Sequence, residues 1–278
     1  MTFGRRGNKL GYVAAVLGAC GIVAGFGCGT ELTREEAADA LEEAQVSSQA
    51  EALTSSSVEI STNFTIGGAV EAAAAELQTF IQTQLPCARV TLAGATLTVE
   101  YGVLPGSCTY RGQTYHGTHS ISVMRNEMSD VVVNHTWSEL RNDQVSVTGS
   151  ATVTWSFSNR TRHVVHELTW TRLSDGRAGT GRGDRTQQPL SGGLIEGFSV
   201  DGTRSWDGES GHWALDIDSV EMRWIDPVPQ AGTYTLDTPY GASISMTFLR
   251  VSPTGIQVTI DNGRRNYQFT VLTAASGG

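Results

Sequence analysis

The chain has 278 residues, 17% of them charged and 8% aromatic, with a formal net charge of −9. That mixture excludes a disordered chain and supports a sizeable core. An acidic chain repels phosphate backbones, so nucleic acid is excluded as a partner.

The first 27 residues have the parts of a bacterial secretory signal: Arg5, Arg6 and Lys9, an apolar run over residues 10–27, then small residues before a cysteine. Lys9 is the only lysine, and removing this +3 segment leaves −12 on the remainder, whose side-chain cations are arginines and any protonated histidine. An uncleaved transmembrane helix is the alternative, but the run is short for a bilayer and holds five glycines. Arg5 and Arg6 also match the start of a twin-arginine signal, and nothing after the pair extends that match.

Two cysteines compete as the acyl acceptor of a lipoprotein. Leu17-Gly18-Ala19-Cys20 fits the lipobox better, whereas Gly25-Phe26-Gly27-Cys28 offers only its adjacent small residue. Modification of Cys28 leaves Cys87 and Cys108 as an even pair in an oxidising compartment, whereas Cys20 would strand an odd thiol. Cys28 is favoured, with Cys20 the alternative. Either acceptor gives an exported protein anchored to a bacterial membrane, the outer membrane by expectation, facing the periplasm or the cell surface.

Residues 28–57 are acidic and then serine-rich. Thr33 with Glu36 forms a capping box, and alanines, Leu41 and Val46 permit a helix. Its apolar face is thin, so the segment reads as a solvated helical tether. Residues 67–85 form a better helix: Val70, Ala73, Ala74, Leu77, Phe80, Ile81 and Leu85 recur at helical spacing, and Pro86 stops it. A disulfide between Cys87 and Cys108 would tie that helix to the following sheet.

Residues 58–278 make one β-rich domain. Its first sheet portion, 89–173, shows the period of two most clearly in residues 145–157. Val145, Val147, Gly149, Ala151, Val153, Trp155 and Phe157 alternate there with serine and threonine. Residues 174–193 hold six glycines and Pro189, and read as a loop dividing the sheet. Strands resume over 194–278, with a bulge expected near Asp218 and Ser219 and a tight turn at Asn262-Gly263. The fold class is mainly β, an antiparallel multi-stranded sheet forming an open barrel or sandwich with one packed N-terminal helix.

No catalytic constellation emerges. His163 and His166 in His-Val-Val-His-Glu lack the metalloprotease order, and residues three apart on a strand point to opposite faces, as do His116 and His119. No Gly-x-Ser-x-Gly elbow occurs, and neither Arg182-Gly183-Asp184 nor the glycines around it form a phosphate loop. Sequons at Asn63, Asn134 and Asn159 mean nothing in a bacterial envelope. The remaining candidates are Asp207, Glu209, Asp216 and Asp218, which could ligate calcium or act as paired acids, and Trp206 and Trp213, which could stack a sugar. No cofactor is implied.

Gly27-Cys28-Gly-Thr-Glu-Leu-Thr33 with its acidic helix, and Ser107-Cys-Thr-Tyr-Arg-Gly112 leading into Thr118-His-Ser-Ile-Ser-Val123, resemble uncharacterised envelope lipoproteins of the myxobacterial type. The later strands are similar in style to β-rich lipoproteins of Bacteroidetes. The resemblance spans most of residues 27–173 and implies lipoprotein status without any activity or functional residue. The expectation is therefore a lipid-anchored, non-enzymatic binding or structural module with an envelope ligand or protein partner. A carrier of an apolar ligand in a curved sheet, and a hydrolase working from residues 207–218, are the alternatives.

Overall fold

A computed structural model describes residues 34–61, 69–110, 112–156 and 158–273. The expected signal segment, Cys20, Cys28, the expected Thr33 cap, Phe157 and the first residues of the expected 67–85 helix lie outside them.

Two helices precede the sheet, α1 (Arg34–Ile60) and α2 (Val70–Gln84). Thirteen strands then follow in one antiparallel meander: β1 (Arg89–Ala93), β2 (Thr96–Tyr101), β5 (His116–Arg125), β6 (Val131–Arg141), β7 (Val145–Ser156), β8 (Thr161–Arg172), β9 (Ala178–Leu190), β10 (Gly193–Gly208), β11 (Gly211–Arg223), β12 (Ala231–Asp237), β13 (Ser243–Ser252), β14 (Gly255–Asp261) and β15 (Asn266–Leu272). A small hairpin of β3 (Thr109–Tyr110) and β4 (Gln113–Thr114) stands apart from it. Each strand pairs with its sequence neighbours, so the open edges are β1 and β15.

The period of two carries through the sheet. On β7, Val145, Val147, Ala151 and Val153 are buried while Thr148, Ser150 and Thr152 are exposed. On β8, Val164, His166, Leu168 and Trp170 face the same inner side. Both helices cover that side, and their apolar residues join one core cluster with it. Helix α2 buries Ala73, Ala74, Leu77 and Ile81; Leu85 caps it by donating its N–H to the Ile81 carbonyl, and Pro86 prevents continuation. Cys87 and Cys108 form the expected disulfide.

The glycine-rich stretch is a correction. Residues 178–190 are not a loop but strand β9, paired along its length with β8 and β10, so the sheet is continuous. Gly179, Gly181 and Gly183 fall on its inner face, where the neighbouring side chains lie across them. A Cβ on Gly181 would sit 2.7 Å from the Trp170 ring, and one on Gly183 would sit 2.4 Å from the His166 ring. The glycines weaken β9 on its own, but large rings on β8 fill the space they leave.

The tether is the second correction. It is helical, but from Glu43 onward α1 is packed onto the sheet. Val46, Ala50, Leu53, Ser57 and Ile60 are all at most 3% exposed and follow the alternating four-three spacing of a helix seam. The bulge appears as expected: the β11–β12 register shifts between Asp218 and Glu221, and Ser219 adopts φ 51°. The β14–β15 turn spans residues 262–265, with Gly263 at φ 80° and Asn262 donating its N–H to the Arg265 carbonyl.

Candidate functional site

The chemistry-bearing side chains converge where α1 crosses the inner face. Cross-strand register places His135, Ala151, His166, Gly183, Arg204 and Leu215 in one row across β6 to β11. Ala151 and Gly183 leave room in that row, and Glu51 of α1 meets the groups beside it. Its carboxylate lies 2.6 Å from Arg185 Nη2, 3.0 Å from His166 Nε2 and 3.9 Å from Arg204 Nε. Burial by itself would raise the Glu51 pKa, but Arg185, His166 and Arg204 together hold it well below the usual carboxylate range. Burial lowers the pKa of Arg204, whose guanidinium also donates to the Ser47 carbonyl at 2.8 Å and to the Ser47 hydroxyl.

The other acids of α1 are held in the same way. Glu43 accepts from the Ser210 N–H at 2.7 Å and from Trp213 Nε1 at 2.9 Å. Gly208 makes room for it, since a Cβ there would lie 2.8 Å from that carboxylate. Asp39 and Glu42 face Arg177 at 3.5 and 3.3 Å, and Glu59 pairs with Arg162 at 2.5 Å. The helix serines take part as well. Ser57 Oγ donates to the Thr54 carbonyl and accepts from Trp137 Nε1 at 2.9 Å, while Ser56 Oγ accepts from Tyr115 Oη at 2.7 Å. Four carboxylates and three serines of a segment that reads as solvated, with Glu59 just beyond it, are thus bonded to β6, β8, β9, β10 and β11, to the β8–β9 and β10–β11 turns, and to Tyr115.

Beside this latch lies a buried imidazole ladder. Tyr101 Oη is 3.2 Å from His119 Nδ1, and His119 Nε2 is 3.0 Å from His135 Nδ1, with Trp137 against both rings. Burial pushes the His119 pKa down to about 3, and burial above all, with Arg162 and the neighbouring His119 adding to it, holds His135 well below its ordinary value. These imidazoles are neutral hydrogen-bonding core groups, and His119 and His166 face inward while His163 is exposed against Asp184. That is the opposite-face outcome the strand spacing implies.

The acidic candidates do not converge. Asp207 is spent on His212 Nδ1 at 2.8 Å, Glu209 faces Arg177 at 3.7 Å, and Asp216 and Asp218 lie on the exposed face of β11. Among the described residues no three His, Cys, Asp or Glu side chains are grouped as a metal site. Trp206 and Trp213 do come together, stacked at 5.5 Å and within 4° of parallel, but each is 1% exposed beneath α1. A recess beside them, lined by Glu43, Val46, Trp170 and Arg177, has a volume of about 10 Å³, no more than one water needs.

No family model, no curated protein and no solved structure matches this chain. Among the described residues no helix is long and apolar enough to cross a membrane.

The residues that sequence reasoning missed are Glu51, Arg185, Arg204 and Glu43. One signal for them was present: the seam at Val46, Ala50, Leu53, Ser57 and Ile60 marks a buried helix face. Alanine and serine at two of its five positions made it faint.

Proposed function

We propose that this protein is an exported lipoprotein of the bacterial envelope, held to a membrane through an acylated Cys28, whose sheet serves as a non-enzymatic binding or structural module. The observation that carries the reading is the seating of α1. This helix begins six residues after Cys28 and covers the inner face of the sheet, so anchor and fold are joined in one element. The ionisable groups best suited to chemistry, Glu51 and His166, are occupied in holding that helix and are buried under it. What remains for a partner is the outer face, rich in serine and threonine, and the open edges at β1 and β15.

Mass spectrometry of the mature N-terminus tests the anchoring, with an acylated Cys28 as the expected result. Cys28→Ala should release a folded protein from the membrane fraction. A free, unmodified N-terminus beyond residue 28 would refute lipidation, and acylation at Cys20 would move the anchor to the alternative position.

A carrier is the second reading, and one feature favours it. Trp137, Trp170, Trp206 and Trp213 share the inner face with Arg162, Arg185 and Arg204, a lining suited to an acidic amphiphile once α1 has moved aside. It calls for saturable uptake of a fluorescent fatty acid that strengthens in Glu51→Gln. Absence of uptake in both forms would end it.

A further inference from the structure

The docking of α1 also determines how far the domain stands from its anchor. Had residues 28–57 been a free tether, the sheet could roam some tens of ångströms from the bilayer. Instead the chain is bonded to the sheet from Asp39 onward, through Arg177. Five residues lie between Cys28 and Arg34, and the six steps from one to the other span at most about 20 Å when fully extended. The first five residues of α1 add about 7.5 Å of helical rise before Asp39.

The strand register shows which part of the sheet this short link reaches. Arg177, Glu209 and Ser210 belong to the β8–β9 and β10–β11 turns, and Asp39, Glu42 and Glu43 are bonded there. Because every strand is antiparallel to the next, the β6–β7, β12–β13 and β14–β15 turns lie at the same end. The β5–β6, β7–β8, β9–β10 and β13–β14 turns lie at the other. A strand of 13 residues such as β9 separates the two ends by about 40 Å.

We infer that the end of the sheet bearing the β8–β9 and β10–β11 turns rests at the membrane surface, within reach of the link from Cys28, and that the β13–β14 end points away. This rests on the anchoring proposed above and adds an orientation to it. The occupant of that end is a lipid bilayer, identified by the length of chain between Cys28 and α1 and by where that chain enters the fold. Exposed apolar side chains do not decide the matter, because they occur at both ends: Leu173 and Val103 at one, Met128 and Val251 at the other. The outward end, with Met128, Trp224 and Val251 exposed, is then the one free to meet a partner across the periplasm or at the cell surface.

The test uses the full acylated protein in phosphatidylcholine vesicles that carry nitroxide-labelled headgroups. A fluorophore is placed on Ser174→Cys, in the β8–β9 turn, or on Thr254→Cys, in the β13–β14 turn; both positions are exposed. The label at residue 174 should be quenched several-fold more strongly than the label at 254. Equal quenching, or stronger quenching at 254, in protein whose acylation at Cys28 has been verified by mass spectrometry overturns the orientation and leaves the anchoring intact. Absence of acylation at both Cys28 and Cys20 overturns the anchoring together with the orientation, and acylation at Cys20 alone overturns the orientation, whose reach is measured from Cys28. Replacing Asp39 and Glu42 together by alanine should loosen the first turns of α1 and reduce the quenching at 174 without changing the acylation. Unchanged quenching in that variant removes the docked helix as the cause.

Discussion

The Glu51 carboxylate of α1 lies 2.6 Å from the Arg185 guanidinium of β9. Each residue belongs to a stretch whose composition reads as solvated, the acidic tether for one and the glycine-rich loop for the other. Their contact is the point at which two apparently unstructured segments become the centre of the fold.

Breaking that contact should be costly, because it leaves Arg185 and Arg204 without their shared carboxylate in a buried place. Glu51→Ala should lower unfolding free energy by about 3–5 kcal/mol, and Glu51→Gln by less, as read by urea denaturation. The acid dependence follows from the lowered pKa. Below about pH 4.5 the unfolded chain takes up a proton at this position while the folded chain keeps its carboxylate ionised. The stabilisation is therefore complete above pH 4.5 and is lost as pH falls toward the folded-state pKa; Glu51→Gln should flatten that limb.

The buried imidazoles act at higher pH. His119 and His135 resist protonation in the fold but titrate near 6.5 when unfolded, so stability should be full above pH 6.5 and decline as the solution is acidified below it. Each contributes on the order of 1.4 kcal/mol per pH unit in that window. His119→Gln keeps a hydrogen-bonding group between Tyr101 and His135 without a titrating ring. Thermal unfolding between pH 7 and 5 should show a shallower slope in this variant; an unchanged slope would mean that the ladder does not carry the dependence.

Gly181 has its space taken by the Trp170 ring. Gly181→Ala should cost about 1–3 kcal/mol from overpacking, while Thr180→Ala, on the exposed face next to it, should change stability by less than about 0.5 kcal/mol. Adding Trp170→Leu to Gly181→Ala should recover part of the loss, a coupling that a double-mutant cycle measures directly.

The Cys87–Cys108 bond closes a loop across 21 residues, between the end of α2 and the strand pairs that follow. Replacing both cysteines by serine should cost about 3 kcal/mol. Calorimetry under oxidising and reducing conditions should show the wild type falling to the stability of the double variant when reduced.

Much of the sheet was legible in the sequence. Alternation in residues 145–157, the helical spacing from Val70 to Leu85, the pairing of two cysteines and the irregularity at Ser219 all arise from local geometry. A strand with one buried face must alternate, and a helix with one buried face must repeat about every 3.6 residues. The candidate site was not legible, because its parts are far apart in the chain. Glu51 meets His166, Arg185 and Arg204 only after β8, β9 and β10 have paired.

By itself the sequence determined a mainly β, antiparallel chain with an acidic N-terminal helix, since periodicity and composition are properties of neighbouring residues. Only the tertiary structure decided that the acidic helix is part of the core and that the glycine-rich stretch is a strand. Both depend on what lies across from them. Carboxylates become tolerable in a core when arginines face them, and glycines become tolerable in a strand when a neighbouring tryptophan and histidine fill their space.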